Sequence, residues 1–145
     1  MPRVYVSSVI DAPTPKVWER VRDFNALPRW VPAVRDSRIE NGEPSDRIGC
    51  VRDFHLQNGD HLREKLLGLS DYDYVCTYSI LESPMPLTGY VATLRLTPVT
   101  DGDRTFAEWT AEFDCAEAEA EGLVNGIGTN VFQAAFSSLK RQMAG

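Results

Sequence analysis

Alternation of apolar and polar side chains runs through most of the chain and predicts seven β-strands. Turn-forming residues, such as Asn58-Gly59 and Asp101-Gly102, separate the later strands. Because these connections are short, consecutive strands are expected to pair as an antiparallel meander. We place the strands at residues 3–10, 34–40, 47–56, 60–69, 74–82, 88–98 and 104–114.

Apolar residues at helical spacing predict three helices. The first follows the first strand, with Thr14 as its N-cap and Pro15 at its first helical position. A second, short helical turn is expected at residues 27–30. The last helix runs from Glu117 to Met143. It is about 27 residues long and would extend roughly 40 Å.

This order of elements predicts an α+β fold in a single domain that spans residues 1–145. A long amphipathic helix that follows an antiparallel sheet buries its apolar stripe by lying across that sheet. A twisted sheet of about seven strands that wraps around the helix leaves a cavity unless large side chains fill the space. We therefore expect a cup-shaped fold with an internal ligand site.

The predicted strands at 47–56 and 60–69 form a hairpin whose register depends on its turn. A two-residue turn at Asn58-Gly59 would set like charges opposite each other on both faces. A three-residue loop with Gly59 in the left-handed conformation sets opposite charges against each other and collects apolar residues on one face. We therefore predict this second register, which places an ion pair among apolar side chains. Its opposing pairs are Arg52 with Glu64, Asp53 with Arg63, and Phe54 with Leu62.

The charge and hydropathy of the chain exclude several classes of partner. A net charge of −6 argues against nucleic acid or an anionic membrane surface as the main partner. No apolar run reaches the ~18 residues that a transmembrane helix needs. The N-terminal residues alternate like a strand and lack the apolar core of a signal peptide. We therefore expect a cytoplasmic location.

The cysteines and histidines indicate neither a metal nor a cofactor. Cys50, Cys76 and Cys115 are odd in number and widely spaced, which is typical of small buried hydrophobes and not of a disulfide framework or a zinc site. His55 and His61 fall opposite each other on the outer face of the predicted hairpin. We interpret them as a surface pair, because no third ligand lies nearby in the sequence.

Several motifs, together with the order of elements, carry a resemblance that covers nearly the whole chain. They are Ala12-Pro13 before Val17-Trp18, the segment 24–32, Gly49 to Arg52, Arg63 to Leu66, Tyr78, Pro84 to Leu87 before Tyr90, and Trp109 before the closing helix. The chain resembles the SRPBCC, or helix-grip, superfamily of START domains, birch-pollen-allergen proteins and polyketide cyclases/dehydrases. The resemblance implies a curved sheet around a C-terminal helix, with a hydrophobic cavity. Proteins of this fold include lipid carriers, hormone receptors and aromatase/cyclases, so the fold alone does not assign a function.

Strand alternation assigns the candidate site to the concave wall of the sheet. Arg52, Glu64 and Tyr78 form a donor–acceptor cluster suited to orienting the polar end of a mostly apolar ligand. Extending the alternation to the next hairpin places Tyr78 opposite Glu64. The predicted ligand-binding residues are Arg52, Phe54, Glu64, Tyr78, Tyr90, Trp109, Val131 and Phe132.

Three functions fit this pattern, with binding of a hydrophobic or aromatic small molecule as the leading one. The second is a cyclase/dehydratase-type enzyme, with Glu64 as general base and Arg52 or Tyr78 stabilising negative charge. The third is a protein-interaction domain without a physiological ligand. The Arg52–Glu64 pair would contact ligand in the first case, or would only fix the strand register.

Other features leave alternatives open. The segment Pro84, Met85, Pro86 and Leu87 is stiff and apolar, which fits a gate over the cavity, a homodimer contact or a packed turn. Trp18 is expected in the helix–sheet core. Trp30 lies either at the pocket mouth or in the core. Gly126 and Gly128 would kink the last helix, leave room for ligand or allow close packing on the sheet.

Overall fold

All seven predicted strands are present in a single antiparallel sheet. The protein is described by a computed structural model that covers residues 1–144. The sheet order is β1-β7-β6-β5-β4-β3-β2, so β2 to β7 form the predicted meander and β1 pairs with β7. The strands are β1 (Arg3–Ile10), β2 (Val34–Ile39), β3 (Val51–Leu56), β4 (His61–Ser70), β5 (Val75–Glu82), β6 (Leu87–Val99) and β7 (Arg104–Cys115).

Two short helices, α1 (Thr14–Val21) and α2 (Leu27–Trp30), follow β1, and a 3₁₀ turn (Glu40–Gly42) follows β2. The prediction that Thr14 caps α1 is wrong, because the helix begins at Thr14 and Pro13 occupies the N-cap position. The Thr14 hydroxyl is buried and lies 3.0 Å from the hydroxyl of Thr105 in β7. A partner in the sheet has replaced the local cap.

The predicted C-terminal helix is continuous but changes its winding. It comprises α3 (Glu117–Asn125), a π-helical segment (Gly126–Gln133) and α4 (Ala134–Met143). A Cβ added to Gly128 would lie 3.4 Å from Val4 Cγ1, which is an ordinary van der Waals contact, so Gly128 lies against β1 without being required there. Beside Gly126 there is open space.

The β3–β4 hairpin has the predicted register. Arg52 pairs with Glu64, Asp53 with Arg63, Phe54 with Leu62, and His55 with His61. Gly59 has φ +94°, and the Leu56 N–H donates to the Asp60 carbonyl across the three-residue loop at 2.8 Å. Even-numbered residues of the hairpin consequently face the helix, and Asp53, His55 and His61 face outward.

The predicted pairing of Tyr78 with Glu64 is wrong. Glu64 pairs with Ile80, and Tyr78 pairs with Leu66. The connection closes at residues 71–74, with Tyr74 at φ +57°, and the β4–β5 register shifts between Leu66 and Gly68. Because the pairing differs from the prediction by two residues, Tyr78 still faces the concave side and is buried there.

Candidate functional site

A cavity of about 80 Å³ lies between the concave face of the sheet and the C-terminal helix. All eight residues that we predicted to bind ligand line it: Arg52, Phe54, Glu64, Tyr78, Tyr90, Trp109, Val131 and Phe132. Alternation along the strands and helical spacing were sufficient to bring these side chains together. Whether they contact a ligand stays a prediction.

Eight further residues line the cavity: Leu27, Val31, Val34, Leu56, Leu62, Ile80, Met85 and Ile127. Leu56, Leu62 and Ile80 follow from the same strand alternation. Leu27 and Val31 lie at either end of α2, and Val34 begins β2. The sequence did not predict Leu27, Val31 and Val34 at the site. The pattern of a short helix and the strand after it does not indicate which part of the sheet they pack against.

Arg52 and Glu64 form an ion pair that is almost fully enclosed, with 4% and 5% of their surfaces exposed. Arg52 Nε and Nη2 both contact Glu64 Oε1, at 2.8 Å and 2.7 Å. Arg52 Nη1 donates to the Phe24 carbonyl at 3.1 Å. The guanidinium carbon lies 3.9 Å from the ring centre of Phe24 and 4.6 Å from that of Tyr78. Arg52 is therefore held by hydrogen bonds and by contacts with aromatic rings.

The second carboxylate oxygen of Glu64, Oε2, does not share the hydrogen bonds of Oε1. Within residues 1–144, no donor is hydrogen-bonded to Glu64 Oε2. Among the described residues, the one fully buried side-chain nitrogen or oxygen that lacks a hydrogen bond is Trp30 Nε1. Glu64 Oε2, which also lacks one, is therefore not fully buried and keeps some accessible surface, and Glu64 is one of the residues that line the cavity. Its Oε2 is an acceptor without a partner among the described residues.

Burial changes the protonation behaviour of this cluster. Removal from water raises the pKa of Glu64, and the neighbouring Arg52 guanidinium opposes that rise. Burial likewise raises the pKa of Tyr78 and of Tyr90, so both phenols stay neutral at physiological pH. Burial also raises the pKa of the Cys76 thiol to about 11, which leaves it protonated and unreactive.

An aromatic layer forms the other side of the cavity. The rings of Trp109 and Phe132 stack with centres 4.1 Å apart, and Trp30 stacks on Trp109 at 5.3 Å. Trp109 Nε1 donates to the Tyr78 hydroxyl at 3.1 Å. Trp30 is 3% exposed and does not line the cavity, so it belongs to the core and not to a pocket mouth. Trp18 also lies in the core, as predicted, and donates from Nε1 to Asp71 at 2.7 Å.

The sequence matches the family described as polyketide cyclase / dehydrase and lipid transport over residues 1–144. The chain belongs to this family. No curated protein matches it.

Solved structures share the fold over nearly the whole chain. The protein XoxI from Bacillus cereus is 26% identical, with a TM-score of 0.88 over 99% of this chain and 96% of that one. A protein from Thermobifida fusca is 29% identical, with a TM-score of 0.90 over 99% and 94%. A protein from Nitrosospira multiformis is 30% identical, with a TM-score of 0.84 over 98% and 96%. These similarities support the predicted helix-grip fold.

In this polyketide cyclase/dehydrase family member, an open groove adjoins the cavity. The groove has a volume of about 750 Å³ and lies between the β3–β4 turn and the β5–β6 connection. Ile80 and Tyr90 line both spaces. Of the predicted gate residues, Met85 lines the cavity and Pro84 and Leu87 line the groove. The gate segment therefore lies at the boundary between the groove and the cavity.

The outer face of the hairpin carries polar side chains. The rings of His55 and His61 stack with centres 4.9 Å apart, and each contacts an aspartate, Asp36 at 2.9 Å and Asp53 at 2.8 Å. No group of three metal-ligating side chains occurs among the described residues. Over the same residues, no helix has the length and apolar character needed to cross a bilayer.

Proposed function

We propose that this protein binds a hydrophobic or aromatic small molecule in the cavity between its sheet and its C-terminal helix. The polar end of the ligand would lie at Glu64, beside Arg52 and Tyr78. Its apolar body would contact the side chains that form the rest of the wall, including Trp109 and Phe132. The observation that carries the proposal is a buried carboxylate with an unpaired oxygen at the edge of an apolar cavity.

The size of the cavity limits what enters without rearrangement. Its volume of about 80 Å³ is below the ~300–1,000 Å³ of common small-molecule sites. Even a single aromatic ring, which binds in a cavity of about 150 Å³, therefore requires side chains to move. Met85 is suited to this, because its unbranched side chain adapts to different shapes and it belongs to the predicted gate segment.

Native mass spectrometry of freshly purified protein tests the proposal. We expect the wild type to retain a small molecule, or to take one up from an organic extract of hydrophobic metabolites. Val131→Trp fills the cavity from the helix and should remove the added mass. Asn130→Trp places the same ring at the exposed neighbouring position and should leave binding unchanged. A wild type that stays empty in both preparations would contradict the proposal.

A second candidate function is a cyclase/dehydratase-type reaction with Glu64 as general base. The observation that favours it is the raised pKa of a carboxyl group that lines the cavity. Glu64→Gln should then abolish turnover of a bound ketone substrate and leave its binding intact. Loss of binding and turnover together would point to a structural role for Glu64.

A further inference from the structure

The charge balance of the cavity restricts the chemistry of the ligand that it accepts, provided that the proposed binding function holds. Arg52 and Glu64 are the charged residues among those that line the cavity. One N–H on each of the three Arg52 nitrogens already contacts Glu64 Oε1 or the Phe24 carbonyl, and the rings of Phe24 and Tyr78 lie 3.9 Å and 4.6 Å from the guanidinium carbon. The positive charge of Arg52 is therefore already balanced by Glu64, and a charged ligand would leave one charge in the cavity without a counterpart.

An anion in the cavity would meet a carboxylate. Glu64 Oε2 is the group without a partner, and a ligand carboxylate beside it would place two negative charges in a desolvated space. A ligand cation would compete with Arg52 for the same carboxylate and leave one positive charge unpaired, at a high desolvation cost. A neutral group that donates a hydrogen bond satisfies Glu64 Oε2 without either cost.

The hydroxyl groups of Tyr78 and Tyr90 limit which hydrogen-bonding group of the ligand fits beside Glu64. Tyr78 and Tyr90 also line the cavity, and both carry a proton at physiological pH. The Tyr78 oxygen already accepts from Trp109, so its own proton is available to an acceptor. A hydroxyl group both donates and accepts, and it can serve a carboxylate and a tyrosine at once. Five aromatic side chains line the remaining wall: Phe54, Tyr78, Tyr90, Trp109 and Phe132.

From these contacts we infer that the ligand is a neutral hydroxylated aromatic, of phenol type, whose hydroxyl group donates to Glu64 Oε2. Among aromatic ligands, a single ring requires the smallest enlargement of the cavity, from about 80 Å³ towards the roughly 150 Å³ of a cavity that binds benzene. The hydroxyl group would distinguish this ligand from a hydrocarbon of equal shape and from an aromatic acid.

The test compares phenol, toluene and benzoate by titration at pH 7. Binding is followed by the indole N–H resonance of Trp109, which lines the cavity. Trp18, bonded to Asp71 away from the cavity, is the internal control. We expect phenol to bind roughly tenfold or more tightly than toluene, as a hydrogen bond to a charged group predicts. Benzoate should produce no shift.

The Glu64→Gln variant tests the role of the carboxylate directly. In Glu64→Gln, the amide oxygen is expected to face Arg52 and the amide NH₂ to face the cavity, so an acceptor is replaced by a donor. Benzonitrile, which only accepts hydrogen bonds, should then gain affinity relative to phenol. Equal binding of phenol and toluene by the wild type, or tighter binding of benzoate, would overturn the hydroxyl inference and leave the proposed function standing. Failure of every probe to shift Trp109 would overturn the inference of a phenol-type ligand, whereas the proposed function is tested separately by native mass spectrometry.

Discussion

The two faces of the β3–β4 hairpin carry similar ion pairs in opposite surroundings. On the concave face, Arg52 and Glu64 are enclosed by aromatic rings and line the cavity. On the convex face, Arg63 bonds to Glu40 at 2.6 Å and to Glu82 at 2.8 Å, and the Glu82 side chain is 59% exposed. The same two strands therefore present one buried pair and one partly exposed network, in which the Arg63 and Glu40 side chains are 27% and 19% exposed.

The two faces differ in what their ion pairs are expected to contribute to stability. Exposed pairs each contribute about 0–1 kcal/mol, so the convex network needs no explanation beyond solubility and modest stability. A buried pair pays a desolvation cost of several kcal/mol per ion, and apolar side chains of similar volume are often at least as stable. Under the proposed function, ligand recognition at Glu64 gives the Arg52–Glu64 pair a role that stability alone does not supply.

The largest expected effect on stability comes from breaking the Arg52–Glu64 pair on the concave face. Arg52→Ala leaves the Glu64 carboxylate buried without its partner and should lower the free energy of unfolding by about 3–5 kcal/mol at pH 7. Arg38→Ala on the convex face removes a guanidinium whose side chain is 69% exposed, and it should cost less than about 1 kcal/mol. Urea denaturation measures both. Equal losses would remove the distinction between the faces.

Substitution of an apolar residue on the concave face should lower stability almost as much. Phe54 is 3% exposed and lines the cavity, so Phe54→Ala is expected to cost about 3 kcal/mol and to enlarge the cavity. The adjacent His55 faces outward, and His55→Ala should cost less than about 1 kcal/mol. The enlarged cavity should also favour two-ring over one-ring aromatic ligands in the same titration. A Phe54→Ala protein as stable as the His55→Ala protein would contradict the assignment of the faces.

The turn that sets these faces should show a smaller effect. Gly59 has φ +94°, a conformation that costs a non-glycine residue about 1–2 kcal/mol, so Gly59→Ala should lower stability by that amount. Gly68, in β4, has open space beside an added Cβ and no positive φ. Gly68→Ala should leave thermal stability unchanged or slightly raised. A similar loss in both variants would argue against a strained turn at Gly59.

The smallest expected effect is on the pH dependence of folding stability, which should have opposite signs for Glu64 on the concave face and Glu40 on the convex face. Because the pKa of Glu64 is raised, the folded state holds its proton more tightly, and wild-type stability should fall relative to Glu64→Gln as pH rises from about 4.5. Arg63 lowers the pKa of Glu40, so the advantage of the wild type over Glu40→Gln should instead be lost as pH falls through the acid range. Denaturation over pH 3–8, about the range where carboxyl groups titrate, reveals both trends. Trends of the same sign would overturn the comparison.

Sequence reasoning predicted the parts of the site that depend on local rules. Charge matching and Gly59 fixed the β3–β4 register, and helical spacing placed Val131 and Phe132 toward the sheet. The Tyr78 pairing was wrong because a shift at Leu66–Gly68 and the 71–74 connection are not encoded by alternation. The cavity volume depends on how α2 and Met85 pack, which a single chain does not reveal.

The central claim is that the concave face of the hairpin binds a ligand and the convex face does not. An aromatic ¹H–¹³C spectrum recorded with and without phenol observes both faces at once. We predict that resonances of Phe54, Trp109 and Phe132 shift and that those of His55 and His61 stay in place. Shifts at the histidines with none at the cavity rings would contradict the account.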